Sequence, residues 1–269
     1  MISAMNRRAI VAALACLALA SCSPEEPTAE APGSPGPEEY LPGLSATVDL
    51  VDDARAVVVI VPGGAWAQVW DPPGFRPLAE AFVAAGYSVV QVAYRTAETA
   101  AFYPLPLQDV VCAGAYAAEL VPDVPVVLVG HSAGAHLVAL AALRPDAGAC
   151  PYPEHPADAV VGLAGPYDVE RLGDLAENLF GVPEHQDREL WHEGNPTTWV
   201  DERPEVPFLL AHGTADSLPT SFTRSMAEAL EGAGHPVTLE VLDGREHNDM
   251  YQADVVGGMI VDWLDRVVP

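Results

Sequence analysis

Short runs of β-branched and aliphatic residues alternate along the chain with longer stretches whose apolar positions recur at helical spacing. Ala56 to Val61 is an unbroken run of Ala, Val and Ile ending in Pro62-Gly63-Gly64, which reads as a strand entering a sharp loop. Tyr87 to Ala93, Val126 to Val129, Ala159 to Ala164, Pro207 to Ala211 and Val237 to Leu242 read as further strands. Between them, Phe75 to Ala85, Leu105 to Leu120, Ala135 to Leu143, Leu218 to Glu231 and Met250 to Val267 carry the helical pattern, the first stopped by Gly86. Near-continuous apolar strands spaced by helices demand a mainly parallel sheet with helices on both faces, an α/β fold. The long stretch from Pro166 to Val206, with Trp191 and Trp199, breaks the rhythm. It is expected to be a small cap insertion over residues 166–206 rather than a second domain.

The start of the chain has a different character. From Ser23 to about Pro42 the sequence is Pro, Glu, Ala and Gly with almost no apolar bulk. Such a segment cannot bury enough surface to offset its ordering entropy, so residues 23–43 are expected to be a disordered tether and 44–269 the folded domain. Before it, Arg7 and Arg8 precede an apolar run from Ile10 to Ala20 that is too short for a bilayer span. Leu19-Ala20-Ser21-Cys22 resembles the lipobox of bacterial lipoprotein signal peptides. That resemblance implies a leader over 1–22, acylation of Cys22, and export to the outer face of a bacterial membrane, touched through the lipid alone.

Composition narrows the partners. The 269 residues are 50% hydrophobic, enough for one well-buried core. The formal net charge is −26 and all 12 basic residues are arginine. So acidic a chain is a poor electrostatic partner for nucleic acid or an anionic lipid surface.

The chemistry concentrates around Gly130-His131-Ser132-Ala133-Gly134, a Gly-x-Ser-x-Gly pattern directly after a predicted buried strand and before a helix. Flanking glycines permit the strained strand-to-helix turn that lifts a serine above a sheet edge. The free amides and dipole of the helix start favour negative charge there. A serine hydroxyl needs an adjacent base. Downstream, the strand at 207–211 runs through His212-Gly213-Thr214-Ala215 to Asp216, and the strand at 237–242 runs through Asp243-Gly244-Arg245-Glu246 to His247. Both residues fall at carboxyl ends of strands, on the expected edge of Ser132. His247 is therefore the candidate base and Asp216 the candidate acid, with Asp243 and Asp249 as competitors for the acid. His131 and His136 are expected to pack or hydrogen-bond locally, and His212 to brace its loop. His235 falls at the opposite sheet edge, and His155, His185 and His192 in loops or the cap. Ala133, next to the nucleophile, offers one amide to an oxyanion, and the loop at Gly63-Gly64 lets others approach.

Pro62-Gly63-Gly64-Ala65-Trp66, Gly130 to Gly134, Gly165-Pro166-Tyr167-Asp168 and His212 to Asp216 resemble motifs of α/β-hydrolase carboxylesterases. The similar groups are the hormone-sensitive-lipase-like and feruloyl-esterase-like ones, and the likeness runs from about Ala56 to the C-terminus. It implies the α/β-hydrolase fold and an oxyanion hole completed by the amides of Gly64 and Ala65. Pro62 stands where those families carry a loop-ordering histidine. The implied activity is hydrolysis of a small or short-acyl carboxylic ester through an acyl-enzyme on Ser132. Alternatives are deacetylation or deferuloylation of a polysaccharide, hydrolysis of an aryl formamide, or a non-catalytic binding protein of the same fold. The absence of His-Glu-x-x-His, of cysteine pairs at zinc spacing and of a phosphate-cradling glycine loop with lysine leads to the expectation of no metal and no cofactor. If Cys22 carries lipid, Cys112 and Cys150 remain as a pair in an oxidising compartment. The helices flanking the elbow strand lie side by side in this fold, so the two are expected to form a disulfide.

Overall fold

The computed structural model describes residues 37–69, 72–145 and 148–268. The leader, Cys22 and the first part of the expected tether lie outside the described residues. The elements begin with strands β1 (Glu38–Leu41), β2 (Leu44–Asp49) and β3 (Val57–Val61), helix α1 (Arg76–Ala84) and strand β4 (Ser88–Val92). Helix α2 (Leu105–Leu120), strand β5 (Val126–His131), helix α3 (Ala133–Leu143) and strand β6 (Ala159–Leu163) follow. Short helices α4 (Glu177–Phe180) and α5 (Arg188–Glu193) precede strand β7 (Phe208–Gly213), helix α6 (Ser221–Ala233), strand β8 (Val237–Leu242) and helix α7 (Gly258–Val267).

The eight strands form one sheet in the order β1-β2-β4-β3-β5-β6-β7-β8. From β4 to β8 all neighbours are parallel, while β2 joins β4 and β1 joins β2 antiparallel. The β3 sequence Val-Val-Val-Ile-Val is buried throughout, as a central strand covered on both faces must be. One face packs its alternate side chains against α2, α3 and α6, the other against α1 and α7. Because β3, β5, β7 and β8 run parallel, the loops after all four emerge at one edge, and those loops carry Gly64, Ser132, Asp216 and His247.

Three expectations are corrected. The tether does not extend to residue 43, because residues 38–41 already form β1. Tyr40 anchors it: buried, it donates its hydroxyl to the Ala93 carbonyl at 2.6 Å, and its own carbonyl accepts from the Tyr152 hydroxyl at 2.7 Å. The helix expected over 250–267 begins only at Gly258, after a 3-10 turn over His247–Tyr251 and a π turn over Ala253–Gly257. A glycine pair at 257–258 weakens the helical register there. Part of the 166–206 insertion, around Phe180 and Trp191, is core rather than lid. Trp191 is buried, stacks on Phe180 at 4.6 Å and donates to the Val182 carbonyl at 3.0 Å. Only the stretch around Pro166, Leu172 and Leu175 borders the cavity at Ser132.

Cys112, within α2, is joined to Cys150 by a disulfide, with Cα atoms 5.5 Å apart. The loop after α3 folds back along α2 to reach it, and those two helices pack against each other.

Candidate active site

Ser132 occupies the turn between β5 and α3 with φ 54° and ψ −121°, a backbone state costly for any residue with a Cβ. Its N–H donates to the Leu163 carbonyl at 2.8 Å, and its carbonyl accepts from the His136 N–H at 3.2 Å. The flanking glycines make the turn possible. A Cβ on Gly130 would sit 2.3 Å from the Gly134 carbonyl oxygen, and one on Gly134 would sit 2.1 Å from that of Val61. Neither position has room for a side chain. The hydroxyl is thus presented at the start of an eleven-residue helix, whose first amide, on Ala133, has no partner within the helix.

Asp216 and His247 come together from the loops after β7 and β8. The His247 Nδ1–H donates to Asp216 Oδ2 at 2.8 Å. The Asp216 side chain is fully buried. Its Oδ1 accepts from the Leu218 N–H at 2.7 Å, and its Oδ2 also lies 3.3 Å from His212 Nε2. Burial opposes the charge on this carboxylate, but the bonds from His212, His247 and the Leu218 amide outweigh it and hold the group below the usual carboxylate range. His212 braces the loop: its Nε2–H also donates to the Leu218 carbonyl at 2.8 Å, and its Nδ1 accepts from the Thr223 hydroxyl at 2.7 Å. The competing carboxylates are engaged elsewhere. Asp243 accepts from the Thr214 hydroxyl at 3.0 Å, and Asp249 from the Glu246 N–H at 2.9 Å.

The loop after β3 closes the third side. Gly64, Ala65 and Trp66 take φ values of 132°, 53° and 56°, folding the chain tightly over the elbow. Trp66 is buried and meets the His136 ring edge-on at 5.1 Å. Pro62 is buried, and its carbonyl accepts from the buried Tyr94 hydroxyl at 3.0 Å. The loop is thus tied to the segment just after β4. Gly64 and Ala65 border the cavity at Ser132 and His247, and Ala133 borders the adjoining one.

One site residue escaped the sequence. His131 does not pack merely locally: its Nε2–H donates to the His247 carbonyl at 2.9 Å, and the two rings lie 4.8 Å apart. Burial, with the neighbouring His247 adding to it, pushes His131 down to about 3, so the ring is neutral. Among the described residues, no group of three or more His, Cys, Asp or Glu side chains is arranged to hold a metal.

The BD-FAE family model matches residues 50–230. Esterase LipQ of Mycobacterium tuberculosis is 31% identical over 227 residues, covering 77% of this chain and 53% of that protein. Esterase LipC of the same organism is 30% identical over 235 residues, covering 73% and 56%. The chain thus spans about half the length of these curated relatives. Among solved structures, an esterase from the planctomycete Thermogutta terrifontis, bound to butyrate, superposes with a TM-score of 0.71 at 22% identity, covering 88% of this chain and 95% of that one. An acetyl ester-xyloside bifunctional hydrolase from Caldicellulosiruptor lactoaceticus gives 0.69 at 18% identity, covering 83% and 88%. At these identities the likeness establishes the α/β-hydrolase fold.

Proposed function

The chain belongs to the BD-FAE family, and on that premise we propose that it is a serine hydrolase cleaving small or short-acyl carboxylic esters through an acyl-enzyme on Ser132. The observation that carries this reading is the 2.8 Å bond from His247 Nδ1 to the buried, ionised Asp216, beside a cavity that Ser132 and His247 share. A proton held on Nδ1 leaves Nε2 as the basic nitrogen. In this reading, Nε2 takes the Ser132 proton as Oγ bonds to the ester carbonyl carbon. The oxyanion is met by the amides of Gly64, Ala65 and Ala133. Its collapse breaks the bond to the alcohol oxygen, which leaves with the proton from His247. Water, deprotonated by the same nitrogen, then releases the carboxylic acid.

A second reading keeps the chemistry and changes the alcohol: removal of acetyl or feruloyl groups from a polysaccharide. The open side of the cavity, where Gln68 and Asn248 are exposed, suits a polar alcohol. Similar solved structures include an acetyl ester-xyloside bifunctional hydrolase and a carbohydrate esterase, which supports the same reading. In our reading the protein is held at the cell envelope by lipid on Cys22. Changing Cys22→Ser should then move it from the membrane to the soluble fraction.

The test of the activity is Ser132→Ala, assayed over p-nitrophenyl esters and acetylated xylan, with fluorophosphonate labelling of the parent protein. We expect labelling at Ser132 and a loss of several orders of magnitude in the alanine variant, with the fold intact. Activity near the parent level in that variant would overturn the assignment.

A further inference from the structure

Two cavities open from the same pair of residues, Ser132 and His247. One, about 420 Å³, is bounded by the exposed amides of Gln68 and Asn248. The other, about 270 Å³, is bounded by Trp66, Pro166, Leu172, Leu175 and Leu218. An ester has two arms on its carbonyl carbon, so a substrate seated on Ser132 must put one arm in each. The alcohol has to depart and water has to arrive while the acyl arm stays bound. The larger side, which carries the Gln68 and Asn248 amides, fits the departing alcohol, and the smaller side, walled by Trp66, Pro166 and the three leucines, fits the retained acyl chain.

We infer that Leu172 and Leu175 form the wall that sets acyl-chain length, and that Arg171 is the residue that positions this wall. The inference rests on the ester-hydrolase reading above and adds to it which residues measure the acyl chain. Both leucines lie in the stretch Val169–Ala176, which is broken between them at Gly173, where φ is 56°. Leu175 is 47% exposed, one of two large apolar side chains left in water among the described residues, and it borders this cavity. A bound acyl chain would cover it. The stretch is tied down from outside the site. The Arg171 guanidinium lies 4.4 Å over the Phe222 ring, its Nη2–H donates to the Ser221 hydroxyl at 2.9 Å, and its Nε is 3.9 Å from Asp168 Oδ2. Arg171 therefore fixes the wall to the first turn of α6 and touches none of the three candidate catalytic residues.

The test uses the whole protein and kcat/KM for p-nitrophenyl acetate, butyrate, hexanoate and octanoate. Each variant is normalised by fluorophosphonate titration of Ser132. In Leu175→Ala and Leu172→Ala the hexanoate-to-acetate ratio should rise about tenfold, the scale that one or more methylenes command in an apolar pocket. Leu175→Trp should lower it by a similar factor, which covers the case that a truncated wall fails to fold. Arg171→Ala should raise the ratio by about threefold through a lower KM for the longer chains, while acetate turnover holds. The relative rates on methyl and glyceryl acetate should not move in the three leucine variants. A hexanoate-to-acetate ratio unchanged in both Leu175 variants, with Ser132 still titrating, would overturn the inference and leave the ester-hydrolase reading standing. A shift in the alcohol series instead would show the two sides reversed and overturn it too. Parent protein that neither labels nor turns over would sink the ester-hydrolase reading, and this inference with it.

Discussion

The Nε2–H of His131 reaches the main-chain carbonyl of His247 at 2.9 Å, so the residue beside the nucleophile holds the loop that carries the base. The two rings pack at 4.8 Å, and Tyr251 meets His131 edge-on at 4.9 Å. This bond joins positions 116 residues apart and ties the loop of His247 to the residue beside Ser132.

Replacing His131→Phe removes that bond while keeping the aromatic packing. One buried hydrogen bond is worth about 1 kcal/mol net, so kcat should fall roughly fivefold. KM should change little, because the residue positions the base rather than binding substrate. His131→Gln, which keeps an N–H donor, should recover part of the loss. An unchanged kcat in the Phe variant, or a loss in KM alone, would contradict the positioning role.

His131 and His136 also set how stability responds to acid. Burial pushes them from 6.5 down to about 3 and about 4, the former reinforced by the neighbouring His247. Below pH 6.5 the unfolded chain takes up a proton at each position while the folded chain does not. Stability therefore falls with pH by about 1.4 kcal/mol per unit for each histidine. The fall should run from 6.5 to about 4 for His136 and to about 3 for His131. Urea midpoints measured from pH 7 to pH 4.5 should show it, and His136→Gln should halve the slope. A flat profile over that window would mean that the two rings charge freely in the fold.

The parallel strands, the elbow and both partners of Ser132 were legible because each carries a local signature. Val57 to Val61 has no polar face, Gly130 and Gly134 bracket the serine, and Asp216 and His247 each end a strand-to-loop passage. What escaped depends on contacts distant in sequence. Strand β1 is four residues long and half acidic, and it joins the sheet through its pairing with β2 and through the bonds of Tyr40 to Ala93 and Tyr152. The segment of Trp191 has no hydrophobic period, so nothing local marks the tryptophan as buried. It is core because Phe180 is there to stack on its ring and the Val182 carbonyl to take its N–H. Nothing within ten residues of Leu172 reveals that it borders the cavity at Ser132.

The disulfide between Cys112 and Cys150 spans 38 positions of chain. Loop-closure entropy suggests a stabilisation of roughly 4 kcal/mol over the open chain. Changing both cysteines to alanine should lower the urea midpoint accordingly and leave ester turnover near the parent level, since neither cysteine borders the cavities at Ser132. Peptide mapping after alkylation without reduction should find the two linked. Two alkylated thiols in that map would refute the bridge.

The last prediction concerns the loop after β3, where a proline stands at the place of a family histidine. Its carbonyl is buried and takes the Tyr94 hydroxyl at 3.0 Å. Burial pushes that phenol well above its ordinary range, so it remains a donor at any working pH. Tyr94→Phe leaves the carbonyl without a partner, a cost of about 1–3 kcal/mol for a buried acceptor. The loop should relieve that cost by shifting, and its amides at Gly64 and Ala65 would move with it. Because those amides are proposed to meet charge that develops only in the transition state, the loss should appear in kcat, roughly ten- to hundredfold, with KM nearly constant. Pro62→His alone keeps the carbonyl and its Tyr94 partner, so it should be tolerated. The two substitutions together test the argument. If histidine orders the loop here as in similar families, Pro62→His should rescue part of the Tyr94→Phe defect. If the double variant is as slow as Tyr94→Phe alone, the ordering belongs to the tyrosine and cannot be transferred to the histidine.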